Sequence, residues 1–232
     1  MNAIKLDARL SAVASLVRKG SVVADVGTDH AYIPAFLVQS GICPSAIAGD
    51  LRKMPLENAK ETIRECNLED KIKTVISNGL DEIGKGECND VVIAGMGGLL
   101  IAEILERTEW IFDSSIRLIV QPMSHHEDVR AFFYENGFQI DEEKCATDSN
   151  HCYCVIAAHY TGIKTETTPS TVYTGTLPEN GDEASEQFLD KQYYRLKKRY
   201  DALCQSGGEQ NEIKRLSDIL KDFEIQRGKH ND

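Results

Sequence analysis

The stretch that most limits what this 232-residue chain can fold into runs from Ser21 to Leu37. A β-branched pair, Val22-Val23, leads through Ala24 to Asp25, Val26 and Gly27. A polar turn, Thr28-Asp29-His30, follows, and Ala31 to Leu37 reads as a helix. Strand, tight turn and helix is the opening unit of an open α/β sheet, whose ligand crevice lies at the carboxyl ends of its strands. Gly27 lets the backbone pass close to a ligand. Asp25 stands where it can accept a hydrogen bond or balance a positive charge. An ordinary βα connection reads the same way from this stretch alone.

The dinucleotide fingerprint G-x-G-x-x-G is absent, because Gly27 is followed by Asp29 and Ala31. Those further glycines let a pyrophosphate rest on the helix N-terminus. Asp29 there would repel phosphate and suit a cation. S-adenosylmethionine is such a ligand, with a sulfonium, an ammonium and no phosphate.

Further along, the strand-and-helix alternation repeats. Leu6, Leu10, Val13, Ala14 and Val17 give residues 5–18 the period of an amphipathic helix that Gly20 ends. Strands are expected at 21–26, 45–50, 72–76, 90–94 and 116–120, with helices at 33–38, 55–66 and from Leu99 onward. Ser124 followed by Glu127 reads as a capping box opening a helix to about Asn136. The adjacent His125 and His126 point about 100° apart on a helix and are not expected to share a metal. Two final strands, 138–145 and 151–160, flank an Asp148-Ser149-Asn150 turn. Alternation followed by a hairpin implies a Rossmann-like α/β sheet of seven strands, mostly parallel, with the last antiparallel. Residues 161–182, rich in Thr, Pro, Gly and Ser, read as a linker. Leu189, Tyr193, Leu196, Tyr200 and Leu203, then Ile213, Leu216, Leu220 and Phe223 after Gly207-Gly208, imply an antiparallel helical hairpin within residues 183–232. A dimerising coiled coil is the competing reading.

The bulk numbers exclude several classes. No apolar run approaches a membrane span, and no signal peptide is recognisable. Seven cysteines without framework spacing suit a reducing cytosol, so the expected location is cytoplasmic. Cys152-x-Cys154 is too tight for ordinary zinc spacing, and no metal is expected. The net charge of −11 argues against a general nucleic-acid coat. The first 160 residues hold 15 basic against 24 acidic side chains, so any RNA contact needs a local basic patch. Candidates are Lys5, Arg9, Arg18 and Lys19, then Arg52 and Lys53, then Lys197, Lys198 and Arg199. Any one of them alone reads equally as a solvated face.

Four loops at successive strand ends make one constellation. Asp25-Val26-Gly27 would hold the amino-acid end of a cofactor, and Asp50 stands where an acidic side chain accepts ribose hydroxyls. Asn78-Gly79 can bond an adenine edge, and Ala94-Gly95-Met96-Gly97-Gly98 brings backbone close to a reacting centre. With these residues, with Asp29 to Pro34, Leu80 and Gln121-Pro122, the chain resembles the class I S-adenosylmethionine-dependent methyltransferases. More narrowly it resembles the bacterial tRNA (adenine-22-N1)-methyltransferases, over about residues 3–160, and that family's carboxyl-terminal coiled coil agrees in kind with the hairpin.

The resemblance implies S-adenosylmethionine as cofactor and tRNA as partner. It implies cofactor contacts from Asp25, Gly27, Asp29, Asp50, Leu51, Asn78, Gly79, Leu80, Ala94, Gly95 and Met96. N1 of neutral adenine has a free lone pair, so no base is needed and positioning supplies most of the rate. Asp29 is the candidate to stabilise charge near N6, with His30 and Tyr32 orienting or stacking the base. Tyr32 packed on the first helix, and Asp29 as a helix cap, are the structural alternatives. Arg9, Arg52, Lys53, Lys197, Lys198 and Arg199 are the expected RNA contacts, and the chain is expected to be a monomer. Two other functions fit the sequence: methylation of a small molecule or protein, and a catalytically silent RNA-binding module.

Overall fold

The computed structural model describes residues 4–149 and 151–228. Its order is α1 (Ala8–Ser15), β1 (Val23–Val26), α2 (Tyr32–Gln39), β2 (Ala46–Asp50), α3 (Lys53–Glu65), β3 (Ile72–Ile76), β4 (Asp90–Gly97) and α4 (Gly98–Glu106). Then come β5 (Arg117–Ser124), α5 (His126–Glu135), β6 (Phe138–Asp148), β7 (His151–Tyr160), α6 (Thr171–Thr174), α7 (Glu183–Ser206) and α8 (Gln210–Gly228). Asn150, in the expected turn, lies outside the described residues.

The seven strands form one sheet in the order β3-β2-β1-β4-β5-β7-β6. The strands from β3 to β5 pair in parallel, and β7 runs antiparallel to both of its neighbours. The expected sheet is therefore the observed one. The chain leaves β1 toward β2 on one side and returns to pair β4 on the other. This reversal opens a crevice between diverging loops at the carboxyl ends of β1 and β4.

Alternation along the central strands divides the core in two. Val23, Ala46, Ala48 and Val92 face one layer with α1, α2 and α3. Ala24, Val91, Ile93, Leu118 and Val120 face the other with α4, α5 and the hairpin. Both faces of β1 and β2 are covered, so every residue of the two strands is buried, Asp25 and Asp50 included.

The hairpin is antiparallel: Tyr193 reaches Glu224, Arg199 reaches Glu212, and Arg227 reaches Asp190. Gly207, at φ +67°, caps α7, and its N–H and that of Gly208 both return to the Leu203 carbonyl. Leu189, Leu196, Leu216, Leu220 and Phe223 are buried as the heptad spacing requires. With Phe188 they belong to the same core as the sheet. Tyr193, Tyr200 and Leu203 are half-buried against it.

Two expectations are corrected. Within the expected linker 161–182, residues 170–178 are packed against the domain, whereas 162–169 and 179–182 are exposed. Ser170, Tyr173, Thr174, Leu177 and Pro178 are buried, in α6 and the short turn that follows it. Polar groups order this stretch. The buried Arg130 guanidinium donates to Glu143 Oε1 at 2.7 Å and to the carbonyls of Val172 and Tyr173 at 3.1 and 3.0 Å. Glu143 Oε2 accepts from the Thr176 backbone N–H at 2.6 Å. Asp222 of α8 accepts from Thr168 Oγ1 and from both Ser170 donors. A segment held by such bonds carries no apolar period to read.

The second correction is the capping box. Met96 and Gly97 continue pairing with Pro122 and Ser124 through an irregular register, so β5 runs on to Ser124. Helix α5 then starts at His126, with His125 as an uncapped N-cap at φ 55°. The Glu127 carboxylate instead accepts from Arg195 of α7 at 2.9 Å.

Candidate active site

Each strand end contributes a loop tied to the next. After β1 the N–H groups of Gly27 and Thr28 both donate to the Gly49 carbonyl, at 2.8 and 3.0 Å, so the first loop is strapped to β2. Gly27 has φ +74°, and a Cβ there would collide with the Met96 methyl. The Met96 methyl ends a flexible side chain and could move aside, so it is the left-handed backbone that favours glycine at this point. Asp29 and Ala31 both adopt the left-handed region, at φ 50° and 55°. Non-glycine residues in that region concentrate at functional turns, each at a cost of about 1 kcal/mol or more. Here the conformation turns Asp29 outward at the crevice mouth. It is no helix cap, because α2 begins after Ala31 without a side-chain cap. His30 and Tyr32 stack with centroids 5.2 Å apart and planes within 8°, and Tyr32 is exposed, not packed away on a helix. The Asp29 carboxylate lies 3.7 Å from His30 Nε2.

These loops surround a cavity of about 580 Å³, a volume suited to a nucleoside-sized ligand. Its wall includes ten of the eleven expected cofactor residues: Asp25, Gly27, Asp29, Asp50, Leu51, Asn78, Gly79, Ala94, Gly95 and Met96. The exception is Leu80, which is buried in the core below and does not line the wall.

Two buried carboxylates dominate the electrostatics. Asp25 Oδ2 accepts from Thr28 Oγ1 at 2.6 Å, and among the described residues no basic side chain pairs with it. Burial pushes its pKa up to about 6, and the Asp50 carboxylate adds to the rise, against the pull of the Thr28 hydroxyl. Asp50 Oδ1 accepts from the Arg52 backbone N–H at 2.9 Å, with the Arg52 guanidinium 3.8 Å away. A cationic ligand with ribose hydroxyls would relieve the first carboxylate and bond the second. The wall offers no cradle of successive glycine N–H groups for a pyrophosphate. The residues present therefore fit S-adenosylmethionine.

Two positioning groups were invisible as such in the sequence. Gln121 is fully buried, and its Oε1 accepts from Gly95 N at 3.2 Å and from Arg9 Nη1 at 2.9 Å. It thus holds the glycine loop and swings Arg9 into the wall, where the guanidinium also lies over the Tyr153 ring. Arg107, at the end of α4, donates to the Asn78 carbonyl at 2.7 Å and to Asp81 at 3.1 Å, fixing the third loop. The motif Gln121-Pro122 signalled the first. Nothing local signalled the second.

The expected RNA contacts divide. Arg9 and Arg52 line the cavity, and Lys53 is exposed beside it at the start of α3. On α7, Lys197 is tied to Asp201 and Arg199 to Glu212, which leaves Lys198, of these three, as the exposed cation without an acidic partner among the described residues. Arg18 is a clamp, bonded to the buried Asp90 and to the carbonyls of Asn89 and Ser115. The adjacent histidines point apart: His125 faces Asp128, and His126 is buried against Phe188. Burial, then Arg130, pushes the His126 pKa down to about 3. Donor atoms of His125, Glu127 and Asp128 come within 4.8 Å of one another, with Glu127 also held by Arg195.

Comparison with known proteins agrees with this geometry. Residues 6–156 match the model of the methyltransferase domain family. A curated relative, tRNA (adenine(22)-N(1))-methyltransferase of Bacillus subtilis, is 37% identical over 158 residues, which span 68% of this chain and 66% of that protein. The crystal structure of the Bacillus subtilis m1A22 tRNA methyltransferase TrmK superposes with a TM-score of 0.86 at 28% identity, covering 97% of this chain and 99% of that one. Streptococcus pneumoniae Sp1610, provisionally described as a tRNA (m1A22) methyltransferase and solved with S-adenosyl-L-methionine, gives 0.79 at 30% identity, covering 93% and 100%. The chain belongs to the methyltransferase domain family and, within it, to the tRNA (adenine(22)-N1)-methyltransferases.

Proposed function

We propose that this protein transfers a methyl group from S-adenosylmethionine to N1 of an adenine in tRNA, at position 22 as its relatives' names state. The observation that carries this reading is the pair of buried carboxylates, Asp25 and Asp50, facing one cavity at the ends of adjacent strands. They suit a ligand with a positive charge and a ribose. When bound, S-adenosylmethionine supplies an electrophilic methyl group on a sulfonium.

The chain's own residues then bind and orient. Asp25 balances the cofactor's charge, Asp50 accepts from the ribose, and the Asn78-Gly79 loop fixed by Arg107 meets the adenine edge. The substrate adenine enters from the mouth, where the stacked His30 and Tyr32 rings offer it a flat face. Its N1 lone pair needs no base. The methylated ring carries a positive charge, which the exposed Asp29 carboxylate stabilises beside N6. On this reading the enzyme works in the cytoplasm as a monomer and without a metal. The test is mass spectrometry of nucleosides from tRNA incubated with the protein and S-adenosylmethionine. N1-methyladenosine is expected, and its absence in tRNA that bears an unmodified adenine 22 would remove the assignment.

A further inference from the structure

Among the described residues, seven of the ten exposed large hydrophobic side chains stand on one edge, the carboxyl rim of the parallel strands. They follow the sheet order: Ile76 at β3, Leu51 and Met54 beyond β2, Tyr32 beyond β1, Leu99 and Leu100 beyond β4, and Met123 at the end of β5. An apolar stripe of this kind on an otherwise acidic surface marks an interaction site. Part of it belongs to the cavity already described, since Leu51, Tyr32 and Leu100 line its wall. Leu99 and Met123 do not, and they are 57% and 49% exposed.

Neither of these two side chains belongs to the buried core. Helix α4 is anchored through Ile101, Ile104 and Leu105, all buried, one turn beyond Leu99. The strand carrying Met123 is anchored by Gln121 and Pro122. The backbones beneath them are tightly joined: Gly97 pairs with Ser124, and a Cβ on Gly98 would run into the carbonyls of Ser124 and His125. Leu99, in the first turn of α4, and Met123, near the end of β5, are therefore held on adjoining rigid elements at the same rim as Leu100 and the Gly95 loop. A weak bond from Gln121 Nε2 to the Met123 sulfur, 3.5 Å long, orients the latter.

The proposed reaction gives such a pair a task. N1 lies on the Watson–Crick edge, so the target adenine must leave its stack and partner before it can reach the cavity. Proteins that open nucleic-acid stacks insert apolar side chains into the step they vacate. Arg9 in the wall and Arg52 and Lys53 at the rim supply the local positive charge that an RNA backbone beside this edge requires. We propose that Leu99 and Met123 form an apolar wedge that takes the place of the extruded adenine in the tRNA, packing on the nucleotides it leaves behind. The assignment rests on the methyl-transfer reading and names how that site opens its substrate.

The test compares two RNAs under single-turnover conditions: a folded tRNA transcript, and a short unpaired oligonucleotide with the same target adenine already unstacked. Leu99→Ser/Met123→Ser is expected to keep S-adenosylmethionine affinity, measured by calorimetry, while the methylation rate on folded tRNA falls on the order of tenfold. On the unpaired RNA its rate should approach that of the unmodified protein. Leu99→Phe/Met123→Leu, which keeps apolar bulk, should retain most of the rate on folded tRNA. A serine variant that methylates folded tRNA normally, or loses equally on both RNAs, would overturn the wedge while leaving the methyl-transfer reading intact. An unmodified protein that methylates neither RNA would overturn both.

Discussion

Asp25 is predicted to destabilise the ligand-free protein at neutral pH, and Asp25→Asn to stabilise it. The carboxyl is 4% exposed, and burial moves its pKa from 3.8 to about 6. Each unit corresponds to 1.36 kcal/mol, so the ionised form costs about 3 kcal/mol of stability above pH 6. The folded state binds the proton more tightly than the unfolded state. The carboxyl's contribution is therefore fully favourable below about pH 4 and is lost as pH rises through 6. An asparagine keeps the acceptor for Thr28 without the charge. Allowing for relaxation, a gain on the order of 2 kcal/mol is expected at pH 7.5, or roughly 4–8 °C in Tm for a chain of this size. The difference should shrink to about a third by pH 4.5. Paired thermal or urea melts from pH 4.5 to 7.5 measure it.

The same residue should respond in the opposite sense to the cofactor. A cationic ligand binds the ionised carboxylate, so S-adenosylmethionine affinity of the unmodified protein should fall about tenfold per pH unit below 6. Asp25→Asn should bind weakly at every pH, with no such slope. A stability difference independent of pH, or a variant less stable than the parent at pH 7.5, would refute the reasoning about charge burial. Cofactor affinity equal in both proteins would refute the assignment of the charge's partner.

Arg107→Met should loosen the Asn78 loop and raise the KM for S-adenosylmethionine several-fold with little change in kcat; a fall in kcat alone would place Arg107 elsewhere in the mechanism. Gln121→Leu strands the Gly95 N–H and frees Arg9, so a loss of about 1–3 kcal/mol in denaturant melts is expected together with slower turnover. Unchanged values of both would show the hub to be idle. Cutting the chain after Gly181 should yield an unstable or insoluble fragment, because Phe188, Leu189 and Leu220 share the core of the sheet. A soluble fragment with the parent's Tm would show that the hairpin is dispensable to that core.

The fold was legible because its strands obey rules that act locally. The run from Val22 to Gly27 and the alternation after it carry their own period, and the hairpin's leucines carry theirs. What escaped is held by distant polar partners. Arg130 and Glu143 lie 13 residues apart in sequence, yet the backbone of residues 172–176 completes their bonding and turns an apparent linker into a packed strap. The start of α5 was misplaced for a related reason. The Ser124-to-Glu127 spacing has the form of a capping box, but pairing with β4 extends β5 over Ser124.

The site shows the same division, and its consequence reaches the handling of RNA. Ten of the eleven expected cofactor residues line the cavity wall: glycines and acids at strand ends announce a crevice by their chemistry, and the family resemblance implied the rest of the set, Leu51 among them. Cations announce nothing about their partners. Of the basic residues singled out in the sequence, Arg18, Lys197 and Arg199 are bound to carboxylates within 3 Å, whereas Lys5, Arg9, Lys19, Arg52, Lys53 and Lys198 face the cavity or solvent. Six such groups on a chain of net charge −11 give limited non-specific attraction for a polyanion. Binding must therefore draw on contacts that do not depend on charge. The apolar rim and the stacked His30 and Tyr32 rings are the surfaces beside this cavity that can supply them, and they favour an adenine already out of its helix over one still paired within it.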